Sequence, residues 1–442
     1  MSEAKGVSSN GVQILGWGIK EGGSWKSWKK RMFRLNTQKL EYFKDENMTH
    51  KMGDIDVPKV THVLPVEIYK KRRNIIRLIT PSRTYHVSVA DEKTRDEWVA
   101  AIKNTVGADK AVAAASPKKE LITMDDFEII SLLGKGAFGK VMLVKMKKDG
   151  NIYAMKTVEK VQVIDSNEVE HILSEKLVLS KINNPFLVNM HYTFQTPTHL
   201  VFVLDYCAGG ELFSYLQKQT SGIPEDDVRF YAAQILLALE HMHSTGIIYR
   251  DIKPENILFE KDGYLRMTDF GLAKSSTKTT NTFCGTPEYL APEVVEGLDY
   301  DENVDWWGLG ILIYEMLFTK SPFLADSMEE LYENILEKEP IFPTTKPISA
   351  ECMDFIKQLL TKDPVQRLTD PDQMKTHSWF KSFSFDDLYQ KKLTPPFVPQ
   401  IKSVTDTSNF DVDITSEHVD LTSGVEAVND NKFFSDFTYV PK

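Results

Sequence analysis

Apolar and polar residues alternate over residues 30–35 and again over 40–43, with the polar stretch 36–39 between them. A period of two on both sides of a short polar break predicts an antiparallel hairpin. Residues 11–43 read as strands, and further strand-like runs cover 74–79 and 84–89. Then the period changes. Asp91 suits an N-cap, acids fill the next turn, and Trp98, Ile102 and Thr105 recur at i, i+4 and i+7, which predicts one amphipathic helix. A small β-rich domain closed by a single helix is implied for residues 11–106. Residues 107–126 lack large apolar anchors at first, contain Pro117 and read as linker. A second pattern runs from Phe127 to about Phe380, strand-rich first and helix-rich later, with 231–243 its clearest helix. From Lys381 to Lys442 core-forming patterns thin out. Acids and Pro395-Pro396 intervene before a final aromatic cluster of Phe433, Phe434, Phe437 and Tyr439. No internal repeat is evident.

Length agrees with this division. The chain has 442 residues, and domains average about 150. Hydrophobic residues make up 42% and charged residues 26%, which excludes a mostly disordered or collagen-like chain. Three scattered cysteines, Cys207, Cys284 and Cys352, are too few for a disulfide framework and point to a reducing compartment. No secretory leader or spanning helix is expected. The net charge of −10 hides an asymmetry: residues 1–106 hold 20 Lys and Arg against 12 Asp and Glu, whereas the rest holds 33 against 51. A head at +8 on a body at −18 suggests that the head meets an anion.

Glycines at 134, 136 and 139 form G-x-G-x-x-G within Leu133-Gly134-Lys135-Gly136-Ala137-Phe138-Gly139-Lys140-Val141. Alone this is weak, since a tight hairpin has the same need for glycine. It is followed by Lys156 on a strand that it is expected to end, and by Glu175 on a helical stretch, 167–179, able to pair with it. Then come Tyr249-Arg250-Asp251-Ile252-Lys253-Pro254-Glu255-Asn256, Asp269-Phe270-Gly271 and Ala291-Pro292-Glu293. In this order they are the protein-kinase signature set. Phosphoryl transfer needs positioning and charge neutralisation more than covalent chemistry. Lys156, fixed by Glu175, is expected to hold the phosphates of ATP. Asn256 and Asp269 supply the hard oxygen ligands that Mg2+ prefers. Asp251 is expected to orient the substrate hydroxyl and accept its proton, and Lys253 to neutralise the moving phosphate. The alternative, a silent kinase fold serving as scaffold, would show a lost lysine or aspartate; none is lost.

Tyr-Arg-Asp with Lys-Pro-Glu-Asn, residues 282–289 (Thr-Phe-Cys-Gly-Thr-Pro-Glu-Tyr) and the terminal aromatic motif together resemble the AGC serine/threonine kinases. Gly16-Trp17, the run 28–33 and the helix carrying Trp98 resemble a pleckstrin homology (PH) domain. The whole arrangement resembles the protein kinase B (Akt) family. That resemblance implies a multidomain fold: a PH-type β-barrel or sandwich capped by one helix, then a bilobal α+β kinase with an AGC tail.

It also implies sites. Lys20, Lys29, Arg31 and Arg83 match the positions that bind phosphatidylinositol 3,4,5-trisphosphate and its 3,4-bisphosphate; a solvated basic face is the rival reading. Lys30 falls between two of them. The run 70–73 adds nonspecific lipid attraction or is a solvated loop, and nothing accompanies the charge that would read nucleic acid. Thr282 matches a site for the phosphoinositide-dependent kinase, with His171, Arg250 and Lys274 as receptors for its phosphate. Thr438, in the hydrophobic motif 434–439, is the other phosphoacceptor, and a target-of-rapamycin complex kinase is the second upstream partner. Thr422 is nearest the turn-motif position, but serine follows it in place of proline. Glu211 and Glu255 match positions that bind substrate arginine, implying Arg-x-Arg-x-x-Ser/Thr substrates. A monomeric cytoplasmic kinase, restrained by its PH domain at rest and recruited to the plasma membrane, is the expectation. A PH domain that docks proteins instead of lipid is its rival.

Overall fold

The computed structural model describes the chain except residues 1–13, 22–27, 37, 61, 70, 71, 81, 82, 113–121, 137, 276–278, 418, 420–432, 435, 436, 441 and 442. Ala137, Lys70, Lys71 and Thr422 therefore lie outside the described residues. The chain divides into two compact units, residues 1–121 with 429–436 and residues 122–428 with 437–442.

The first unit is a seven-stranded antiparallel sheet and a helix. In chain order the strands are β1 (Ile14–Glu21), β2 (Trp28–Leu35), β3 (Lys39–Phe43), β4 (Lys51–Asp56), β5 (His62–Tyr69), β6 (Arg72–Thr80) and β7 (Arg83–Ser88), followed by α1 (Glu92–Val112). Their order in the sheet is β4-β3-β2-β1-β7-β6-β5. The expected hairpin joins β2 to β3 with Leu35 opposite Leu40. Its turn is closed by Asn36, whose Oδ1 accepts from the N–H groups of Gln38 and Lys39 at 2.9 and 2.7 Å. Asp91 caps α1 by accepting from the Thr94 N–H at 2.7 Å. Trp98, Ile102 and Thr105 all face the interior, where Phe33 meets Trp98 edge-on. The helix runs to Val112, six residues into the stretch read as linker. Two alanines and a lysine favour helix there, and no proline stops it before Pro117.

The second unit has two lobes. The sheet lobe contains β8 (Phe127–Gly136), β9 (Gly139–Met146), β10 (Ile152–Glu159), α2 (Lys160–Asp165), α3 (Val169–Leu179), β11 (Met190–Gln195) and β12 (His199–Asp205). Its strands are ordered β11-β12-β10-β9-β8, all antiparallel. The helical lobe follows: α4 (Leu212–Leu216), α5 (Glu225–Ser244), β13 (Ile247–Ile248), β14 (Ile257–Phe259), β15 (Leu265–Met267), β16 (Lys274–Ser275), α6 (Pro292–Val295), α7 (Asn303–Phe318), α8 (Met328–Glu337), α9 (Ala350–Leu359), α10 (Pro371–Thr376) and α11 (Phe385–Tyr389). Helix α7 is apolar nearly all round and is buried accordingly. It ends at Thr319, which turns left-handed at φ 60°.

The tail is better anchored than its pattern suggests. Phe397 packs on Tyr215 and Phe259, Phe410 stacks on Tyr206, and α12 (Val412–Thr415) lies along β8. These are single aromatics with distant partners, so no local period announces them.

Candidate active site

The hairpin β8–β9 brings the glycines over a cleft of roughly 300 Å³. At Gly139 a Cβ would lie 1.7 Å from the Thr157 carbonyl oxygen, so only glycine lets β9 close on β10. At Gly134 and Gly136 a Cβ would meet almost nothing, which leaves backbone N–H groups room to approach an anion. Phe138, Gly139, Lys140 and Val141 line the cleft, and Leu133 is buried beneath. Lys135 points elsewhere, to Glu417 of the tail at 2.7 Å.

Lys156 faces this space, although not from a strand end: β10 continues to Glu159, because its ladder with β9 and β12 extends past it. Its Nζ lies 2.6 Å from Glu175 Oε1 on α3 and 3.8 Å from Asp269 Oδ1. Burial alone would lower the lysine's pKa, but the two carboxylates outweigh it and raise it, so the ammonium stays charged. Glu175 is buried and its Oε2 has no partner, whereas half of the Asp269 side chain remains accessible.

On the helical lobe, Asp251 gathers three neighbours. Lys253 Nζ lies 2.9 Å from its Oδ2, Asn256 Nδ2 donates to the same oxygen at 2.8 Å, and the Thr286 hydroxyl reaches Oδ1 at 3.2 Å. With its amide nitrogen committed to Asp251, Asn256 has its carbonyl oxygen left to ligate a cation. Arg250 and Asp269 both hold left-handed backbone, at φ 69° and 55°. Tyr249 packs against Phe270 and donates to the Thr268 carbonyl. Asp305 of α7 underpins the loop: its two oxygens accept from the N–H groups of Tyr249 and Arg250 at 2.9 and 2.8 Å. Sequence reading misses Asp305, which sits unannounced at the start of an apolar helix.

A cleft with one lysine held by a buried glutamate, a carboxylate facing it, and an Asp-Lys-Asn set on the opposite lobe fits a magnesium-nucleotide and a hydroxyl substrate. The comparisons with known proteins agree. Residues 127–380 match the protein kinase domain and residues 12–107 the PH domain. A RAC family serine/threonine-protein kinase homolog of Dictyostelium discoideum is 45% identical over 441 residues, covering 98% of both chains. RAC-beta serine/threonine-protein kinase of Homo sapiens is 38% identical over 481 residues, 97% of this chain and 98% of that protein.

The chain belongs to the RAC (Akt) family of serine/threonine-protein kinases. It is a transferase with a serine/threonine protein kinase domain, and that domain implies use of ATP. The remaining residues singled out in the sequence fall into four groups. Lys20, Lys29 and Arg31 share one face of β1–β2, with Lys20 opposite Lys29. Lys20 sits over the rings of Tyr42 and Tyr85, and Arg83 lies over Tyr85. Burial first, and then the nearby Arg83 and Arg31, bring Lys20 down to about 8. Lys30 points to the other face, over Trp17, as strand alternation requires.

Around exposed Thr282, Lys274 Nζ donates to the Thr280 hydroxyl at 2.6 Å, and that hydroxyl lies 3.3 Å from Thr282 Oγ1. Tyr300 links Arg250 to the Thr282 carbonyl. Among the described residues no contact joins His171 to Thr282; its ring meets Glu168, the N-cap residue of α3. Half-buried Glu211 has its pKa raised by burial and by the charge of Glu255, so the two carboxylates sense one another. In the terminal motif, Phe437 is fully buried against Phe202 with Lys176 at 5.7 Å from its ring centroid. Thr193 and Tyr439 exchange backbone hydrogen bonds, and Thr438 is exposed between the two aromatics.

Proposed function

We propose that this kinase phosphorylates serine and threonine in Arg-x-Arg-x-x-Ser/Thr sequences, is recruited to the plasma membrane by 3-phosphoinositides and is switched on by phosphorylation. The observation that carries the catalytic reading is the Lys156–Glu175 pair at 2.6 Å with Asp269 beside it. Lys156 and the N–H groups of residues 134–141 hold the nucleotide phosphates. Asn256 and Asp269 hold Mg2+. When bound, the magnesium nucleotide supplies the γ-phosphoryl group and offsets its charge. Asp251 orients the substrate hydroxyl and takes its proton. Lys253, 2.9 Å from that carboxylate, limits the build-up of negative charge as the hydroxyl oxygen attacks.

Two further features support the finer reading. Crowded cations at Lys20, Lys29, Arg31 and Arg83 suit a headgroup with several phosphates, which relieves their mutual repulsion. Crowded carboxylates at Glu211 and Glu255 suit a guanidinium for the same reason. A phosphate on Thr282, placed by a phosphoinositide-dependent kinase, would add a charge of about −1.5 to −2 near Arg250 and Lys274, which Tyr300 and Thr280 already link to Thr282. A target-of-rapamycin complex kinase would act on exposed Thr438.

The test uses Glu211→Ala and matched peptides. The variant loses about tenfold in kcat/KM on a peptide with arginine three residues before the acceptor, and nothing on the peptide lacking it. Equal loss on both peptides rejects the arginine assignment.

A further inference from the structure

Behind the strap that joins the two lobes lies a chain of ionised groups that the phosphoryl-transfer chemistry does not use. The strap leaves β12 at Asp205 and runs through Tyr206, Cys207 and Ala208 toward α4. Asp205 is gripped from several elements. Asn189 gives its backbone N–H and its side-chain amide to Oδ2 at 2.9 and 3.0 Å, and the Asp205 N–H returns a bond to the Asn189 carbonyl at 3.1 Å. His191 Nε2 lies 2.7 Å from Oδ1. From β15 in the helical lobe, Arg266 reaches Oδ2 at 2.5 Å. Asn189 Oδ1, by contrast, is buried without a partner. The amide is turned to serve the carboxylate at the expense of its own acceptor, which shows how strongly Asp205 organises its surroundings.

The chain continues beyond Arg266. The same guanidinium donates to the Leu187 carbonyl at 2.9 Å and pairs with Glu260, and Glu260 pairs with Lys391 at the root of the tail. Side-chain exposure along it is 21% at Asp205, 14% at Arg266, 17% at Glu260 and 24% at Lys391. These are not free surface pairs. Screening by water and salt is weak at such depth, and removing one member leaves its neighbour incompletely paired. Burial pushes the Asp205 carboxyl up, but His191, Arg266 and the Asn189 N–H together hold it below the usual carboxylate range, so it stays ionised.

Asp205 belongs to the sheet lobe and Arg266 to the helical lobe, so their bond joins the two lobes at this strap. We propose that Lys391, Glu260, Arg266 and Asp205 form a clasp that fixes the hinge, and that the root of the tail thereby positions the two halves of the nucleotide cleft. The proposal rests on the reading of that cleft as the ATP site. Arg266 and Lys391 are positioning residues: neither lines the cleft.

The test is made on the full chain, with Lys391→Met, Arg266→Met, their combination and the charge-keeping Lys391→Arg. KM for ATP and kcat are measured on an arginine-containing peptide, hydrogen exchange is followed at the amides of Tyr206, Cys207 and Ala208, and Tm is recorded. Each methionine variant is expected to raise KM for ATP by about fivefold and to speed exchange at the strap. The combination is expected to be no worse than Arg266→Met alone, and Lys391→Arg to behave as the wild type. Lys391→Met carries the test if Arg266→Met folds poorly, since Lys391 is the more exposed of the two and, among the described residues, its side chain bonds only Glu260 and Asp262 at the root of the tail. Additive effects, or a lower Tm with unchanged strap exchange and KM, would overturn the clasp. A wild-type chain that binds no ATP would instead overturn the reading of the cleft.

Discussion

Single residues here are held in states that bulk water would not favour, and each such state has a measurable consequence. Lys20 titrates near 8 where a free lysine would titrate at 10.5, through burial and the charges of Arg83 and Arg31. An anionic headgroup would restore its proton. Vesicle binding is therefore expected to weaken between pH 7 and pH 9, with proton uptake on binding, and Lys20→Met is expected to flatten that dependence; a flat wild-type profile would remove Lys20 from the site. The sign for folding is opposite. A folded pKa below the unfolded one means that stability rises with pH between about 8 and 10.5. Asp305 makes the second case. It is 1% exposed and satisfies two backbone N–H groups, one of them on the left-handed Arg250. Asp305→Ala leaves those donors unmatched and lets Arg250 relax, displacing Asp251 next to it. A loss of about 3 kcal/mol is expected, together with a fall in kcat. Thermal unfolding and peptide kinetics check it, and a lower Tm with intact kcat would confine Asp305 to a structural role.

At the level of elements, the tail completes the sheet lobe. β11 is an edge strand, and edges with unpaired N–H and C=O groups need cover. Tyr439 supplies it through its paired bonds to Thr193, while Phe437 fills the space over Phe202 and beneath Lys176 of α3. The next residue back along α3 is Glu175, the partner of Lys156. Phe437→Ala is thus expected to cost about 3 kcal/mol of local docking, to speed hydrogen exchange in α3 and to lower kcat. Unchanged α3 exchange would separate the tail from the Lys156–Glu175 pair. How far such couplings can be seen in the sequence depends on their range. The β2–β3 hairpin and the buried face of α1 with Trp98 are written locally, in periods of two and 3.6, and they fold as read, although α1 runs past its expected end. The position of Lys156 within β10 depends on two neighbouring strands, and so its strand ran past the expected end. Phe397, Phe410 and Asp305 each act on a partner far away in the chain. Nothing nearby marks them, and only the folded structure reveals what they hold.

For the whole molecule, charge and chemistry divide along the same line. The basic head is rich in the cations that anions attract, and the acidic body carries the carboxylates that lysine, magnesium and arginine would meet. Two matched domains in one chain, each with its own core, make binding and catalysis separable by single substitutions. Lys156→Met removes the charge between Glu175 and Asp269 and changes no residue of the first unit, so peptide phosphorylation is expected to fall at least about a hundredfold while binding to 3-phosphoinositide vesicles stays at the wild-type level. Arg83→Ala is expected to do the reverse: kcat on a soluble peptide is kept, and vesicle binding drops by about tenfold. Added salt sharpens the comparison, because screening weakens attraction between exposed basic groups and any anionic surface but hardly reaches the buried Lys156–Glu175 pair. Binding that disappears with salt equally for vesicles with and without 3-phosphoinositide, and that ignores Arg83→Ala, would mean that the head senses only surface charge. Binding that survives salt in the presence of the 3-phosphoinositide and requires Arg83 would mean that four convergent side chains read the headgroup itself. The kinase would then receive its location from one domain and its chemistry from the other.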